Sequence, residues 1–117
     1  NYLVVGPTNK SELTIGYFTK HGDSGVDIMP IADYVKQEIY ELAKHLGIPK
    51  EIIEKIPTAG LWDGQTDEDE MKMSYNQLDS YITQSFVEIN VKRKIEKMME
   101  KSEHKRNFPK IYMRGCN

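Results

Sequence analysis

Residues 1–12, NYLVVGPTNKSE, open the chain with a short apolar run that ends at a glycine and passes into a polar segment. The run from Tyr2 to Val5 is typical of a β-strand, and the polar residues after Gly6 predict a loop leading into a helix. A buried parallel strand needs neighbouring strands, so we expect the chain to be one portion of a larger α/β domain. Ligands gather at the carboxyl ends of such strands, which makes residues 6–12 a candidate binding segment.

Helical patterns dominate the chain after this strand. Apolar residues recur at helical spacing across residues 33–46, and Gly47 and Pro49 end that pattern. A short helix is predicted over residues 49–55, before a polar loop at residues 57–73 that lacks periodicity and is too long for a simple connector. The coarse prediction is an α/β chain that is mostly helical, with one or two strands and four helices.

Two of the predicted helices lie in the second half. Ser74 and Gln77 form a capping box that predicts a helix over residues 75–82. The last helix is predicted over residues 86–101. Its apolar stripe is expected to contact the core or a partner, and it consists of Val91, Ile95, Met98 and Met99.

Charge is distributed unevenly along the chain. Residues 1–70 carry 6 lysines against 13 acidic residues, whereas residues 71–117 carry 10 basic against 5 acidic residues. The second half is therefore the part that attracts anions. In its basic run, residues 91–106, acidic residues are interleaved with the bases, so a solvated helix face is favoured over a nucleic-acid-binding surface.

Cysteine content and hydropathy indicate the cellular compartment to expect. The one cysteine, Cys116, cannot form an internal disulfide, which predicts a reducing environment and an inert thiol. No apolar run approaches the ~20 residues that span a bilayer, and no signal-peptide core opens the chain. We therefore expect a cytoplasmic protein with no membrane partner.

Glu12 falls about one turn into the helix expected after the first strand. A carboxylate in that position can hold Mg²⁺ against a bound phosphate, because Mg²⁺ prefers one or two carboxylates together with phosphate oxygens and water. It can also simply complement the positive end of the helix dipole. Spacing alone favours the second interpretation.

Residues 16–30, GYFTKHGDSGVDIMP, combine charged side chains with glycines between hydrophobic neighbours. The glycines favour a turn-rich loop that a ligand can approach closely, and residues 26–28 predict a brief extended segment. The side chains available to a polar ligand are Lys20, His21, Asp23 and Asp27. The alternative is a solvated loop in which Asp23 forms an Asx-turn.

Two later segments also allow alternatives. Thr58 and the acidic run Asp67–Glu70 could cover a nucleotide, but for the acids the favoured interpretation is that they keep a mobile segment soluble. The run EHKR, residues 103–106, suits either phosphate recognition or the negative end of a helix dipole. His104 has no second histidine or cysteine nearby, so no zinc site is predicted.

The chain contains no Walker A, GxGxxG, GxSxG or HExxH pattern. Spacing alone therefore indicates an α/β domain whose polar loops are candidates for binding a phosphorylated ligand. Five segments, however, occur together and in order: GPTNKSE, GYFTKHGDSGVDIMPI, LGIPKEIIEKIPTAGLWDGQTDEDEM, SYNQLD and EHKR. Through them the chain resembles the C-terminal half of ammonia-dependent NAD synthetases, from residue 1 to about Pro109.

The resemblance implies an adenine-nucleotide-hydrolase-like (Rossmann-like) fold with a parallel sheet, related to the ATP pyrophosphatases, in a homodimer. It also implies a reaction in which Mg·ATP adenylates the carboxylate of deamido-NAD with loss of pyrophosphate. Ammonia then attacks the adenylate to give NAD and AMP. Residues 1–117 would be the C-terminal portion of a single synthetase domain.

The resemblance also carries over residue roles. Glu12 matches the family's Mg²⁺ ligand, and Lys36 and Thr58 match positions that contact ATP. Pro7 stands where the family usually has an ATP-contacting threonine, and it lacks both the hydroxyl and a backbone N–H. The neighbouring Thr8 is a candidate to replace that hydroxyl. Lys36 can alternatively be an ordinary exposed residue in the first turn of its helix.

The other implied residues concern the dinucleotide. Lys20 and Asp27 match deamido-NAD positions, and His104 and Lys105 match a pair that reaches the dinucleotide across the dimer. Met71-Lys72 departs from the family's usual Leu-Gly.

The family's SGGxDS phosphate loop, with its second Mg²⁺-binding aspartate, does not occur in this sequence. We therefore expect this chain alone to be inactive. A truncated or diverged copy that dimerises or binds dinucleotide without turnover is the alternative to an NAD synthetase.

Overall fold

The computed structural model describes residues 1–115, so Cys116 lies outside the described part. Six helices occur within that range: α1 (Lys10–Ile15), α2 (Lys36–His45), α3 (Lys50–Ile53), α4 (Asp67–Met71), α5 (Tyr75–Ile82) and α6 (Ile89–Arg106). The prediction of a mostly helical chain is confirmed. None of the helices described combines the length and apolar character that a membrane crossing needs.

The predicted strand forms a single parallel bridge between Val5 and Ile28. The Gly6 N–H donates to the Ile28 carbonyl at 2.8 Å, and the Asp27 N–H donates to the Val4 carbonyl at 2.9 Å. The extended segment predicted at residues 26–28 is confirmed only at Ile28, because Asp27 lies at a bend. The expectation of burial is wrong within this chain, because residues 2–5 pair with nothing else in the described range and their side chains are exposed.

Helix α2 begins three residues later than the predicted residue 33. The Tyr34 N–H is held in a turn by the Ile31 carbonyl at 3.1 Å, and the Tyr34 carbonyl accepts from the Lys10 N–H at 2.9 Å. Both bonds keep this residue out of a helix. At α5, by contrast, the predicted capping box is present, since Ser74 accepts from the Gln77 N–H and the glutamine side chain accepts from the Ser74 N–H.

Two helix predictions need correction. The segment predicted as a loop at residues 57–73 contains α4, which Thr66 caps by accepting from the Asp69 N–H and which buries Met71. The last helix runs from Ile89 to Arg106 instead of residues 86–101. Its extra C-terminal turn is stabilised by packing against α1, where Ser102 is buried.

The core lies where α1, α4, α5 and α6 meet. The core residues are Ile15, Met71, Met73, Tyr75, Leu78 and Ile95. The predicted apolar stripe of the last helix is confirmed, because Ile95 is fully buried and the other three residues pack against this cluster.

Gly16 allows the end of α1 to approach α6 closely. Its φ is +72°, in the left-handed region, and a Cβ added there would lie 2.2 Å from Ser102 Cβ. Only glycine satisfies both requirements at low cost.

We expect Gly16→Ala to lower the free energy of unfolding of the complete protein by more than about 2 kcal/mol. The reason is that left-handed strain of about 1–2 kcal/mol adds to an overlap costing about 1–3 kcal/mol. Gly47→Ala is the matched control, since Gly47 has φ +69° but no atom within 4 Å of an added Cβ. In urea unfolding, Gly47→Ala should lose only the free energy that corresponds to the backbone strain. Equal losses of free energy of unfolding in the two variants would contradict a close contact between Gly16 and Ser102.

Candidate functional site

Glu12 and Lys36 face each other across the junction of α1 and α2. Glu12 is the third residue of α1, and its Oε2 accepts from the Asn9 backbone N–H at 3.1 Å to complete a capping box. Lys36 is the first residue of α2, and its Nζ lies 3.7 Å from Glu12 Oε1. Glu12 therefore caps its helix with one oxygen and faces a cation with the other, so its two predicted roles are compatible.

The Glu12 carboxyl sits in a shielded environment, with only 19% of its side chain exposed. Burial raises its pKa, because desolvation disfavours the ionised form. The Asn9 amide and the Lys36 ammonium lower the pKa, while the Asp67 carboxylate raises it, and the net direction is upward. Keeping this group ionised at neutral pH therefore costs folding free energy.

Tyrosine rings complete the surroundings of the Lys36 ammonium. Nζ lies 4.8 Å from the centroid of the Tyr75 ring and 5.9 Å from that of Tyr40. The negative face of an aromatic ring attracts a cation. The prediction that Lys36 could be an ordinary exposed residue is wrong, since only 16% of its side chain is exposed.

The acids of α4 bind tyrosine hydroxyls. Tyr75 Oη donates to Asp67 Oδ2 at 2.8 Å, and the Tyr17 hydroxyl donates to Glu70 while lying 3.2 Å from Asp67 Oδ1. Glu68 Oε1 accepts from the Tyr75 backbone N–H at 2.8 Å. The expectation that these acids mainly provide solubility is wrong for Asp67, which is buried. Glu68, Asp69 and Glu70 are exposed, as that expectation requires.

Three of the predicted site residues line one cleft of about 360 Å³: Glu12, Lys36 and Thr58. Thr58 is exposed, and its Oγ1 accepts from the Gly60 N–H at 3.0 Å. Asp67 lies on the same lining. Pro7 is exposed and lies outside that lining, whereas Thr8 is buried.

The donor set of this cleft fits a Mg²⁺ ion that is shared with a phosphorylated ligand. Among residues 1–115 no three histidine, cysteine or acidic side chains are grouped to hold a metal by themselves. Glu12 and Asp67 supply the one or two carboxylates that Mg²⁺ uses when phosphate oxygens and water complete its shell. The Lys36 ammonium beside them suits the phosphate.

Lys20 and His104 line a second cleft of about 700 Å³ at the C-terminal end of α6. The Lys20 ammonium donates to the His104 carbonyl at 2.5 Å, and the His104 side chain is exposed. Asp27 lies elsewhere, at the parallel bridge, where its Oδ2 accepts from the Val4 N–H at 2.8 Å. The structure therefore brings two of the four predicted dinucleotide residues together.

The Lys105 side chain binds backbone carbonyls of the loop that follows α1. Its Nζ donates to the carbonyls of Gly16 and Phe18, both at 2.7 Å, and lies 5.3 Å from the centroid of the Phe18 ring. It thereby ties the end of α6 to the loop that carries Lys20. The predicted Asx-turn in that loop is wrong, because the Asp23 carboxylate accepts from the Thr19 N–H at 2.7 Å, on the preceding side.

The sequence predictions placed neither Asp67 nor Tyr75 beside Glu12 and Lys36. Asp67 and Met71 are four residues apart and both buried, as are Tyr75 and Asp79. An acid that shares a helix face with core residues is a signal for a buried carboxylate. In this sequence the pattern is hard to see, because Asp67 begins an unbroken run of four acidic residues.

Comparison with protein families gives one match across almost the whole chain. The family model described as NAD synthase matches residues 1–109. Among curated relatives, the NH3-dependent NAD+ synthetase of Syntrophomonas wolfei is 51% identical over 113 residues, which are 97% of this chain and 45% of that protein. The enzyme of the same description from Archaeoglobus fulgidus is 50% identical over 95% of this chain and 47% of its own length. The chain thus spans about half the length of these relatives.

Solved structures with a similar fold carry related descriptions. The NMN synthetase from Francisella tularensis superposes with a TM-score of 0.91 and 40% identity, over 96% of this chain and 47% of that one. The NH3-dependent NAD synthetase from Campylobacter jejuni superposes with a TM-score of 0.68 and 31% identity, over 97% and 46% of the two chains.

We expect Glu12→Gln to raise the free energy of unfolding of the complete protein at neutral pH. Glutamine keeps an oxygen for the Asn9 N–H and removes the buried charge. Because the folded pKa of Glu12 is raised, the cost of its ionisation is absent below the ordinary value of 4.5 and appears as pH rises through the folded pKa. The gain should therefore vanish near about pH 4 and be present near about pH 7.5 in urea unfolding.

Glu96→Gln is the matched control for this measurement. Glu96 lies on the exposed face of α6, and its Oε1 is 3.9 Å from the Lys92 ammonium. An exposed pair of this kind contributes little to stability, so we expect no gain at neutral pH. A Glu12→Gln protein that is less stable than wild type at about pH 7.5 would contradict the desolvation argument.

Proposed function

The chain belongs to the NAD synthase family, and on that premise we propose that it is the ATP- and dinucleotide-facing portion of an ammonia-dependent NAD synthetase. The observation that carries the proposal is the convergence of Glu12, Lys36 and Thr58 on one cleft. These residues are separated by 24 and 22 positions along the chain. The resemblance assigns Glu12 to Mg²⁺ and the other two residues to ATP.

In the proposed first step, the carboxylate of deamido-NAD attacks the α-phosphorus of ATP. A carboxylate oxygen forms a bond to phosphorus, the bond to the bridging oxygen breaks, and pyrophosphate leaves. Lys36 would bind the phosphate chain through its ammonium, and Thr58 would donate its hydroxyl. Glu12 and Asp67 would hold Mg²⁺, which when bound neutralises charge on the departing pyrophosphate.

In the second step, ammonia attacks the acyl carbon of the adenylate. The new carbon–nitrogen bond forms, the bond to the phosphate oxygen breaks, and AMP leaves together with a proton from nitrogen. Adenylation makes this step possible because AMP is a far better leaving group than the oxygen of a free carboxylate.

The second cleft is the proposed dinucleotide side. Lys20 and His104 line it, and the exposed imidazole of His104 suits a residue that reaches a ligand in a partner subunit of a homodimer. Lys105 would serve this side by holding the loop that carries Lys20. Asp27 would contact the dinucleotide from its place at the bridge. The proposed domain is Rossmann-like, and the Val5–Ile28 bridge with its exposed apolar neighbours supports a parallel sheet that continues beyond this chain.

A second candidate product is NMN. The superposition on the NMN synthetase, with a TM-score of 0.91 at 40% identity, favours it. The curated relatives that are 50% and 51% identical to this chain are described as NAD+ synthetases, and they favour NAD as the product. Both candidates would use the proposed ATP cleft. They differ in whether the substrate carries an AMP group in addition to its nicotinate mononucleotide.

The complete protein is expected to form AMP, pyrophosphate and an amide product from Mg·ATP, ammonia and deamido-NAD. Glu12→Gln should lower kcat at least about 100-fold, since it removes a charge that stabilises the transition state. Glu96→Gln should retain wild-type turnover. AMP release is followed for each protein, and the product is identified by mass.

Three other outcomes decide between the alternatives. A protein that amidates nicotinate mononucleotide with a higher kcat/KM than deamido-NAD is an NMN synthetase. A complete protein that binds the dinucleotide but releases no AMP is the non-catalytic copy that Pro7 suggests. Turnover by residues 1–117 alone would overturn the requirement for the SGGxDS loop.

A further inference from the structure

The first turn of α2 is capped by side chains from two other helices. We propose that Ser11 and Asp79 are positioning residues that hold Lys36 in its place against Glu12. The proposal rests on the proposed function, in which Lys36 and Glu12 meet Mg·ATP.

Helix α2 lacks a polar side chain at its own N-cap position, which is occupied by Val35. Its first N–H, that of Lys36, donates to Ser11 Oγ at 3.0 Å. Its second, that of Gln37, donates to Asp79 Oδ2 at 2.9 Å. The orphan donors that a helix normally satisfies with its own cap are thus satisfied by α1 and α5.

The two capping side chains also bind each other. The Ser11 hydroxyl donates to Asp79 Oδ1 at 2.6 Å, so each Asp79 oxygen has a donor. Ser11 is fully buried and Asp79 is 5% exposed. A buried carboxylate in this position is stabilised by its hydrogen bonds and by the positive end of α2, and it leaves the junction little freedom to rearrange.

The cluster connects directly to both candidate site residues. Ser11 precedes Glu12 on α1, and it binds the backbone N–H of Lys36 itself. The bond therefore links the two backbones whose side chains are separated by 3.7 Å from Nζ to Oε1. Losing the Ser11 hydroxyl should let the start of α2 shift relative to α1, and a displacement near 1 Å in an active site can cost about 100-fold in rate.

The test compares Ser11→Ala with Ser102→Ala in the complete protein. Ser102 is also buried against α1, at the opposite end of that helix, and its hydroxyl accepts from Arg106 Nη1 at 2.8 Å. Both variants remove a buried hydroxyl and should unfold at lower urea concentration than wild type. Ser11→Ala should raise the KM for ATP by about tenfold or more, whereas Ser102→Ala should stay within about twofold. Equal KM values in the two variants would overturn the proposal.

Asp79→Asn covers the case in which Ser11→Ala does not fold. Asparagine keeps the shape of the side chain but offers one oxygen acceptor in place of two, so the cap is weakened without a cavity. It should raise the KM for ATP in the same direction, and a wild-type value would count against Asp79 as a positioning residue.

Two measurements do not depend on ATP and separate this proposal from the proposed function. In Ser11→Ala, the amides of Lys36 and Gln37 should exchange with solvent faster than in wild type, because their capped state opens more often. A crystal structure of the variant should show a changed separation between Lys36 Nζ and Glu12 Oε1. Wild-type exchange and separation would overturn the proposal even if the enzyme is an NAD synthetase. A wild-type protein that does not use ATP would overturn the proposed function. The exchange rates and the separation would then still show whether Ser11 holds the start of α2 against α1.

Discussion

A buried hydrogen bond of 2.6 Å from the Ser11 hydroxyl to the Asp79 carboxylate lies at the meeting point of three helices. Ser11 belongs to α1, Asp79 to α5, and together they receive the first two N–H groups of α2. Removing a partner from such a cluster leaves a buried polar group unsatisfied, at a cost of about 1–3 kcal/mol. This cost is what underlies the proposal that the cluster holds the start of α2, with Lys36, against α1 and Glu12.

The same region holds the Glu12 carboxylate in a shielded position, where its ionisation costs folding free energy. The Glu12 carboxylate and the Tyr75 ring lie beside the Lys36 ammonium. The Tyr75 hydroxyl in turn binds the buried Asp67 carboxylate. Burial raises the pKa of Glu12 because the ammonium, at 3.7 Å, does not fully offset the lost hydration. A phosphate-bound cation would supply the missing positive charge. A carboxyl whose pKa is raised by burial, in a cleft beside a cation, is a candidate for a functional group.

At the other end of α1 the chain is held by its last helix. Gly16 lets Ser102 approach, and Lys105 and Arg106 donate to the carbonyls of Gly16, Phe18 and Leu13. These bonds satisfy acceptors that would otherwise face solvent at the end of α1 and the start of the loop. The loop that carries Lys20 is thereby tied to a residue 87 to 89 positions away along the chain.

The sequence predicted well where the determining interactions are local. The capping box at Ser74, the end of α2 at Gly47 and the stripe through Ile95 each depend on residues within one or two turns, and all three are present. The resemblance named Glu12, Lys36 and Thr58 individually, and they share a cleft. The helix α4 was missed because its charged run hides a face on which Asp67 and Met71 are buried.

By itself, the sequence determined the family, the mostly helical character and the identity of the charged residues at the candidate site, because motifs and periodicity are properties of neighbouring positions. Only the tertiary structure decided which of those residues meet. It placed Lys20 with His104 but Asp27 at the bridge, and it turned Lys105 toward Gly16. It also assigned Ser11 and Asp79 to the start of α2. Those contacts join residues 23 to 89 positions apart. No local pattern encodes them, since they depend on how whole segments of the chain pack against each other.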